Sequence, residues 1–93
     1  MSGARCARPT RLLAAPASVE AQADEHGAPT VFRYAGRDHR VLRAWGPERI
    51  ETGWWRGTDV RRDYYCVQVE SGERFWMFFC RSSARWFVHG FFS

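Results

Sequence analysis

Apolar residues recur at every second position through the last third of the chain. Tyr65, Val67 and Val69 fall on one parity, followed by Phe75, Met77 and Phe79 and then by Phe87, His89 and Phe91. Such period-two patterning predicts half-buried strands, here a meander over 61–70, 74–81 and 85–92 with turns at Ser71-Gly72 and Ser82-Ser83-Ala84. With three-residue loops, the nine residues form one apolar stripe across three strands, the expected core face. The same register sets Trp76 across from Gly90, where the indole can cover the bare glycine. The other parity carries Tyr64, Cys66, Gln68, Glu70, Arg74, Trp76, Phe78, Cys80, Trp86 and Val88. That set is too aromatic for a plain solvent face, so either the first hairpin or a partner is expected to pack over it.

The first half is patterned less strongly. Segments 30–35 (TVFRYA) and 38–45 (DHRVLRAW) are rich in β-branched and aromatic residues and read as strands. Gly36-Arg37 suits a two-residue type II′ turn between them, which puts Phe32 opposite Val41 and Val31 opposite Leu42. Val19, Ala21 and Ala23 alternate with Glu20, Gln22 and Asp24, a strand signature that competes with the helix propensity of Ala, Glu and Gln. The strand is preferred because HGAP at 26–29 looks like a turn between two strands. Residues 1–16, rich in Arg, Ala and Pro without a period, read as a disordered arm. Between the two halves lies 46–65, GPERIETGWWRGTDVRRDYY, read as an irregular, aromatic-anchored connection into a strand near Arg61. The expectation is an all-β fold: a disordered arm over 1–16, then a single small domain over 17–93. That domain is an antiparallel meander or partly open barrel of five or six strands.

Composition narrows the function classes. Ninety-three residues make one domain, whose aromatic residues compensate for a small core. No apolar run approaches the ~20 residues of a membrane-spanning helix, and residues 12–17 are too short for a signal-peptide core, so the cytoplasm is the expected compartment. All fourteen basic residues are arginine and the net charge is +4. The absence of lysine reflects a GC-rich coding bias more than phosphate recognition. Three cysteines, Cys6, Cys66 and Cys80, form no CxxC pair, and the histidines are scattered singly. No metal-ligand spacing exists, and neither a metal, a cofactor nor a small-molecule substrate is expected.

Candidate chemistry is sparse. Cys66 or Cys80 with His89 and Asp63 would make a Cys/His/Asp set, but no nucleophile elbow surrounds either cysteine, and both sit in strands as small apolar residues would. No catalytic residue is assigned and the chain is expected not to be an enzyme. His89, on the expected core face, reads as a packed, hydrogen-bonded histidine. Asp63 reads as the ion-pair partner of an arginine. Trp54 and Trp55 divide into one buried and one projecting ring, Trp54 inward and Trp55 outward beside Arg56. Trp54, Trp55, Arg56, Tyr64, Trp76 and Trp86 are the candidate partner-binding residues, since a half-exposed Trp beside arginines suits an interaction hot spot. The alternative is weak, sequence-nonspecific nucleic-acid binding by Arg56, Arg61, Arg62 and Trp55.

GPERIETGWW at 46–55, RRDYYCVQVESG at 61–72, FWMF at 75–78 and RWFVHGFF at 85–92 resemble the extreme C-terminal domain of ImuB-type proteins. Those are Y-family polymerase-like subunits of the bacterial mutagenic translesion machinery. PTRLLAAPASVEA at 9–21 and FRYAGRDHRVLRAWGPERI at 32–50 are similar to the segment preceding that domain. The resemblance thus covers roughly residues 9–93 of what is expected to be a short free-standing chain. The polymerase palm, fingers and thumb have no counterpart here, so no nucleotidyl transfer is implied. What the resemblance implies is an accessory or interaction module of DNA-damage tolerance. Its expected partners are proteins of the translesion machinery, such as the recombinase-like companion subunit and the error-prone replicative-type polymerase.

Overall fold

The computed structural model describes residues 9–52 and 60–92. Six antiparallel strands follow one another: β1 (Arg11–Ala23), β2 (Pro29–Tyr34), β3 (Arg37–Thr52), β4 (Val60–Val69), β5 (Arg74–Cys80) and β6 (Arg85–Phe92). Each pairs with the next, and β1 pairs with β6, so the sheet closes into a barrel. Closure removes the free sheet edge that six strands in a row would expose. The expected all-β architecture is found, with six strands and a closed ring.

The alternation on β4 and β5 places its residues as expected. Tyr65, Val67, Val69, Phe75 and Met77 are buried inside the barrel and run in register, with Tyr65 opposite Met77 and Val67 opposite Phe75. On β6 the expected face is wrong for two of three residues: Trp86 and Val88 join the interior with Phe91, while Phe87 does not. The cause is a register shift on β6. Cys80 pairs with Arg85, so the connecting loop has four residues where three were expected. Pairing then slips between Trp76 and Met77, leaving His89 as the extra residue of a bulge. One added residue exchanges the faces of everything on one side of it. The longer loop and the bulge offset one another beyond His89, which is why Trp76 does pair with Gly90. The atoms nearest the open side of that glycine, however, are the Arg11 carbonyl and Pro9 carbons, so the covering expected of the indole comes from the start of β1.

Three further expectations are corrected. Residues 11–16 belong to β1 and are not part of an arm: Arg11 and Leu12 pair with Phe91 and Gly90, and Leu13 packs on the core. Pro16 is tolerated because it lies in the irregular stretch between Leu12 and Ala17, where no ladder donor is required. The first hairpin turns at Ala35-Gly36, both with positive φ, the pattern of a type I′ turn whose twist matches the flanking strands. Phe32 therefore opposes His39, on which its ring stacks at 5.2 Å, and Val31 opposes Arg40. Relative to a Gly36-Arg37 turn this is a slip of two residues, which keeps the faces; Phe32 stays inside and Leu42 is 60% exposed. Lastly, 46–52 is not irregular. It continues β3 past a bulge at the cis Gly46–Pro47 bond and pairs with β4 from Glu48–Tyr64 to Thr52–Val60.

The expected turn after β1 is present. Asp24 Oδ1 accepts the backbone N–H groups of His26 and Ala28, an Asx arrangement that reverses the chain.

Candidate functional site

The alternate positions of β3–β6 point away from the barrel interior, yet they form a second apolar cluster. Tyr64, Cys66, Trp76 and Phe78 are buried in it, and Trp45, Ile50, Cys80, Phe87 and Phe92 pack around them half-exposed. Cross-strand register builds it in rows. Trp45, Cys66, Trp76 and Gly90 make one row, continued by Leu12 of β1 at 61% exposure. Glu48, Tyr64, Phe78 and Phe87 make the next. Cross-strand aromatic pairs of this kind stabilise a sheet beyond the area they bury.

The bulge at His89 organises the centre. Its ring stacks on the Trp76 indole at 5.2 Å and 11°, and Trp76 in turn stacks on Tyr64 at 4.3 Å. The Tyr64 hydroxyl accepts a hydrogen bond from Arg62 (2.9 Å) and lies 3.0 Å from His89 Nδ1. The same Arg62 guanidinium sits 4.4 Å above the Phe78 ring, a cation–π contact. His89 is thus packed and hydrogen-bonded as expected, on the outer face instead of the core face. Burial, and secondly the Arg62 charge, push its pKa below the ordinary 6.5. The folded chain therefore holds that proton less tightly than the unfolded chain. The stability linked to neutral His89 is present above about pH 6.5 and is lost as pH falls through the window below it. Denaturant midpoints between pH 7.5 and 5 are expected to fall for the natural chain and to fall less for His89→Gln.

Charge on this face is one-sided. Along the part of β3 that pairs with β4, and on β4–β6, Arg43, Arg62, Arg74 and Arg85 share the outer parity with Glu48, while the outward Asp38 and Arg40 lie farther along β3 beside β2. Arg74 lies 5.7 Å from the Phe92 ring centre. Arg61 and Arg62 are neighbours on β4 and so point to opposite faces; the two cannot form one phosphate clamp. Asp63 pairs with Arg49 of β3 at 3.1 Å, as the ion-pair reading required.

Of the candidate partner-binding residues, Tyr64 and Trp76 form the buried centre of this face. Trp86 does not belong to it. It lies inside the barrel against Tyr65 and Phe79, because the β6 shift turns it inward. Trp54, Trp55 and Arg56 lie outside the described residues, as does the expectation of one buried and one projecting ring. Sequence reasoning missed Trp45, Ile50, Phe87 and Phe92 as members of the outer face. The parity of Trp45 and Ile50 was hidden by the bulge at Gly46–Pro47, and that of Phe87 by the bulge at His89.

Both cysteines described are free thiols. Cys66 is buried among aromatics, as a small apolar residue would be. Cys80 lies 3.4 Å from the Ser82 hydroxyl, and hydrogen bonds from Ser82 and Ser83 lower its pKa to about 7. Peptide-resolved alkylation is expected to show Cys80 half-maximally reactive near pH 7 and Cys66 protected. Replacing Ser82 with Ala should move the Cys80 midpoint upward. Among the described residues, no three His, Cys, Asp or Glu side chains group closely enough to hold a metal ion.

Comparison with known proteins agrees with the motif resemblance. The chain is 40% identical, over an alignment of 100 residues, to Protein ImuB of Caulobacter vibrioides strain NA1000 / CB15N. It has the same identity to Protein ImuB of strain ATCC 19089 / CIP 103742 / CB 15. Each alignment takes in 91% of this chain and 22% of the relative, so the chain spans about a fifth of the proteins it matches. No family model matches it, and no solved structure does.

Proposed function

We propose, from the premise of this likeness to ImuB, that the chain is a non-catalytic accessory module of translesion synthesis. In this reading it acts in the cytoplasm and meets a protein of that machinery through the aromatic outer face of β3–β6. The observation that carries the proposal is the second aromatic cluster outside the barrel. A fold of this size needs one apolar interior; a second cluster with a buried centre and a half-exposed rim of Trp45, Ile50, Phe87 and Phe92 has the make-up of an interface core. Strands β4, β5 and β6 have neighbours on both sides. A partner there would recognise side chains and could not add a strand.

The four arginines on the same face favour a second reading, in which the face binds single-stranded nucleic acid through phosphate contacts and ring stacking. Salt separates the two. Phosphate contacts give a slope of log K against log salt near −0.7 per neutralised phosphate for single strands, and aromatic anchoring gives far less. The test pairs immobilised chain with purified translesion polymerases of the same genome and, separately, with a fluorescent oligodeoxynucleotide. The interaction reading expects polymerase capture that resists salt and drops at least tenfold in Trp45→Ala or Phe92→Ala. Capture only of the oligonucleotide, with a steep salt slope, would establish the second reading in its place.

A further inference from the structure

On the opposite side of β4 the barrel has a mouth, and it differs in character from the outer face. A cavity of about 310 Å³ opens there, lined by Tyr65, Phe79 and Trp86 from the barrel wall, with His26, Pro47, Arg49 and Asp63 at the rim. Trp86 stands at the corner, its ring 5.7 Å from Tyr65 and 5.2 Å from Phe79, tilted about 50° to each (46° and 53°). The three rings border this space at angles to one another, with Tyr65 4% and Trp86 8% exposed. A carboxylate stands beside them: Asp63, whose side chain is 15% exposed. Aromatic walls with one carboxylate suit a cation, because the ring faces and the acid both favour positive charge, and a partly desolvated site strengthens both.

The surroundings agree. Asp24 and Asp63 both act on the Tyr65 hydroxyl, which burial raises in pKa first and these two carboxylates further, so the wall stays neutral at physiological pH. That hydroxyl donates to the Gly27 carbonyl at 3.2 Å, which fixes the ring. Arg49 is the cation already there, held to Asp63 by Nε alone at 3.1 Å with 57% of its side chain exposed. With more than half of its side chain in solvent, Arg49 can swing outward and leave the largely buried Asp63 carboxylate to another guanidinium.

We propose that this mouth is a binding site for the guanidinium group of an arginine carried by a partner protein, which takes the Asp63 carboxylate from Arg49 and lies against Tyr65, Phe79 and Trp86. The site is separate from the outer aromatic face and does not rest on it. Arg49 acts as an internal placeholder that keeps Asp63 paired while the mouth is empty.

The probe is N-acetyl-arginine amide, followed by the Trp86 indole N–H resonance in ¹⁵N-labelled protein, with the N-acetyl-citrulline amide as the neutral isostere. The arginine compound is expected to shift that resonance saturably, and the citrulline compound to bind at least tenfold more weakly. Arg49→Met should tighten arginine binding several-fold by removing the competitor, and Asp63→Asn should weaken it at least tenfold. If Asp63→Asn does not fold, Phe79→Leu, which keeps an apolar wall and loses the ring, should weaken binding in its place. Equal binding of the two compounds, no gain in Arg49→Met, or no saturable shift would each overturn the proposal.

Discussion

Replacing Trp76 with alanine is expected to lower the stability of the barrel by about 3–5 kcal/mol, although Trp76 faces away from the barrel interior. The indole is 6% exposed and stacks on both Tyr64 and His89. Its loss removes one of the four buried residues at the centre of the outer cluster and opens a cavity between strands that are hydrogen-bonded on both sides and unable to collapse. Against a total of ~5–15 kcal/mol for a domain, that is enough to leave much of the chain unfolded at 37 °C. Leu42→Ala is the control. Leu42 is 60% exposed on β3 and should change stability by no more than about half a kcal/mol. Chemical denaturation of the two variants measures the difference. Near-equal midpoints would mean that the outer cluster is not packed as described.

Gly46→Ala is expected to be nearly as damaging, for a different reason. Gly46 has φ of 124°, and a Cβ placed there would lie 2.7 Å from the Tyr64 carbonyl oxygen. The carbonyl is backbone in the middle of β4, so it cannot swing aside as a side-chain tip could. Unfavourable φ costs about 1–3 kcal/mol, and forced crowding in a packed site costs a similar amount, for roughly 2–6 kcal/mol together. Gly36→Ala isolates the first contribution. Its φ is 77° with nothing within 4 Å of the added carbon, so only the left-handed penalty of ~1–2 kcal/mol applies. Thermal or urea melts that place the two variants level would show that β3 and β4 approach less closely at the bulge than stated.

These two positions also show where reading the sequence succeeded and where it could not. On β4 and β5 the alternation is unbroken, so parity alone put Tyr65, Val67, Phe75 and Met77 inside and Tyr64, Trp76 and Phe78 outside. On β3 and β6 the alternation is interrupted by bulges at Gly46–Pro47 and His89. Neither interruption can be counted from hydrophobicity, because both parities of β6 are aromatic and either register buries apolar surface. Trp86 was assigned to the contact face for that reason. The start of β1 was hidden differently. Residues 11–16 end on Pro16 and follow Pro9, and their strand character comes from pairing with Phe91 and Gly90, some eighty positions away. The type I′ turn was missed because Ala35 takes a positive φ that alanine seldom adopts, and the reward lies across the hairpin in the Phe32–His39 stack and the Arg33–Asp38 ion pair. The family likeness was legible from the aromatic motifs. The Tyr65–Phe79–Trp86 mouth was not, since its walls come from three strands whose relative register had to be known first.

The central claim is that the half-exposed rim of the outer aromatic cluster is the surface by which the chain meets a translesion protein. Its most direct test is an NMR footprint: ¹⁵N-labelled chain titrated with a purified translesion polymerase of the same genome. The account predicts amide and indole shifts gathered at Trp45, Ile50, Phe87, Phe92 and Leu12, with Glu20, Arg33 and Asp38 on the β1–β2–β3 side unchanged. Shifts confined to that second group, or a spectrum unaltered by the polymerase, would contradict it.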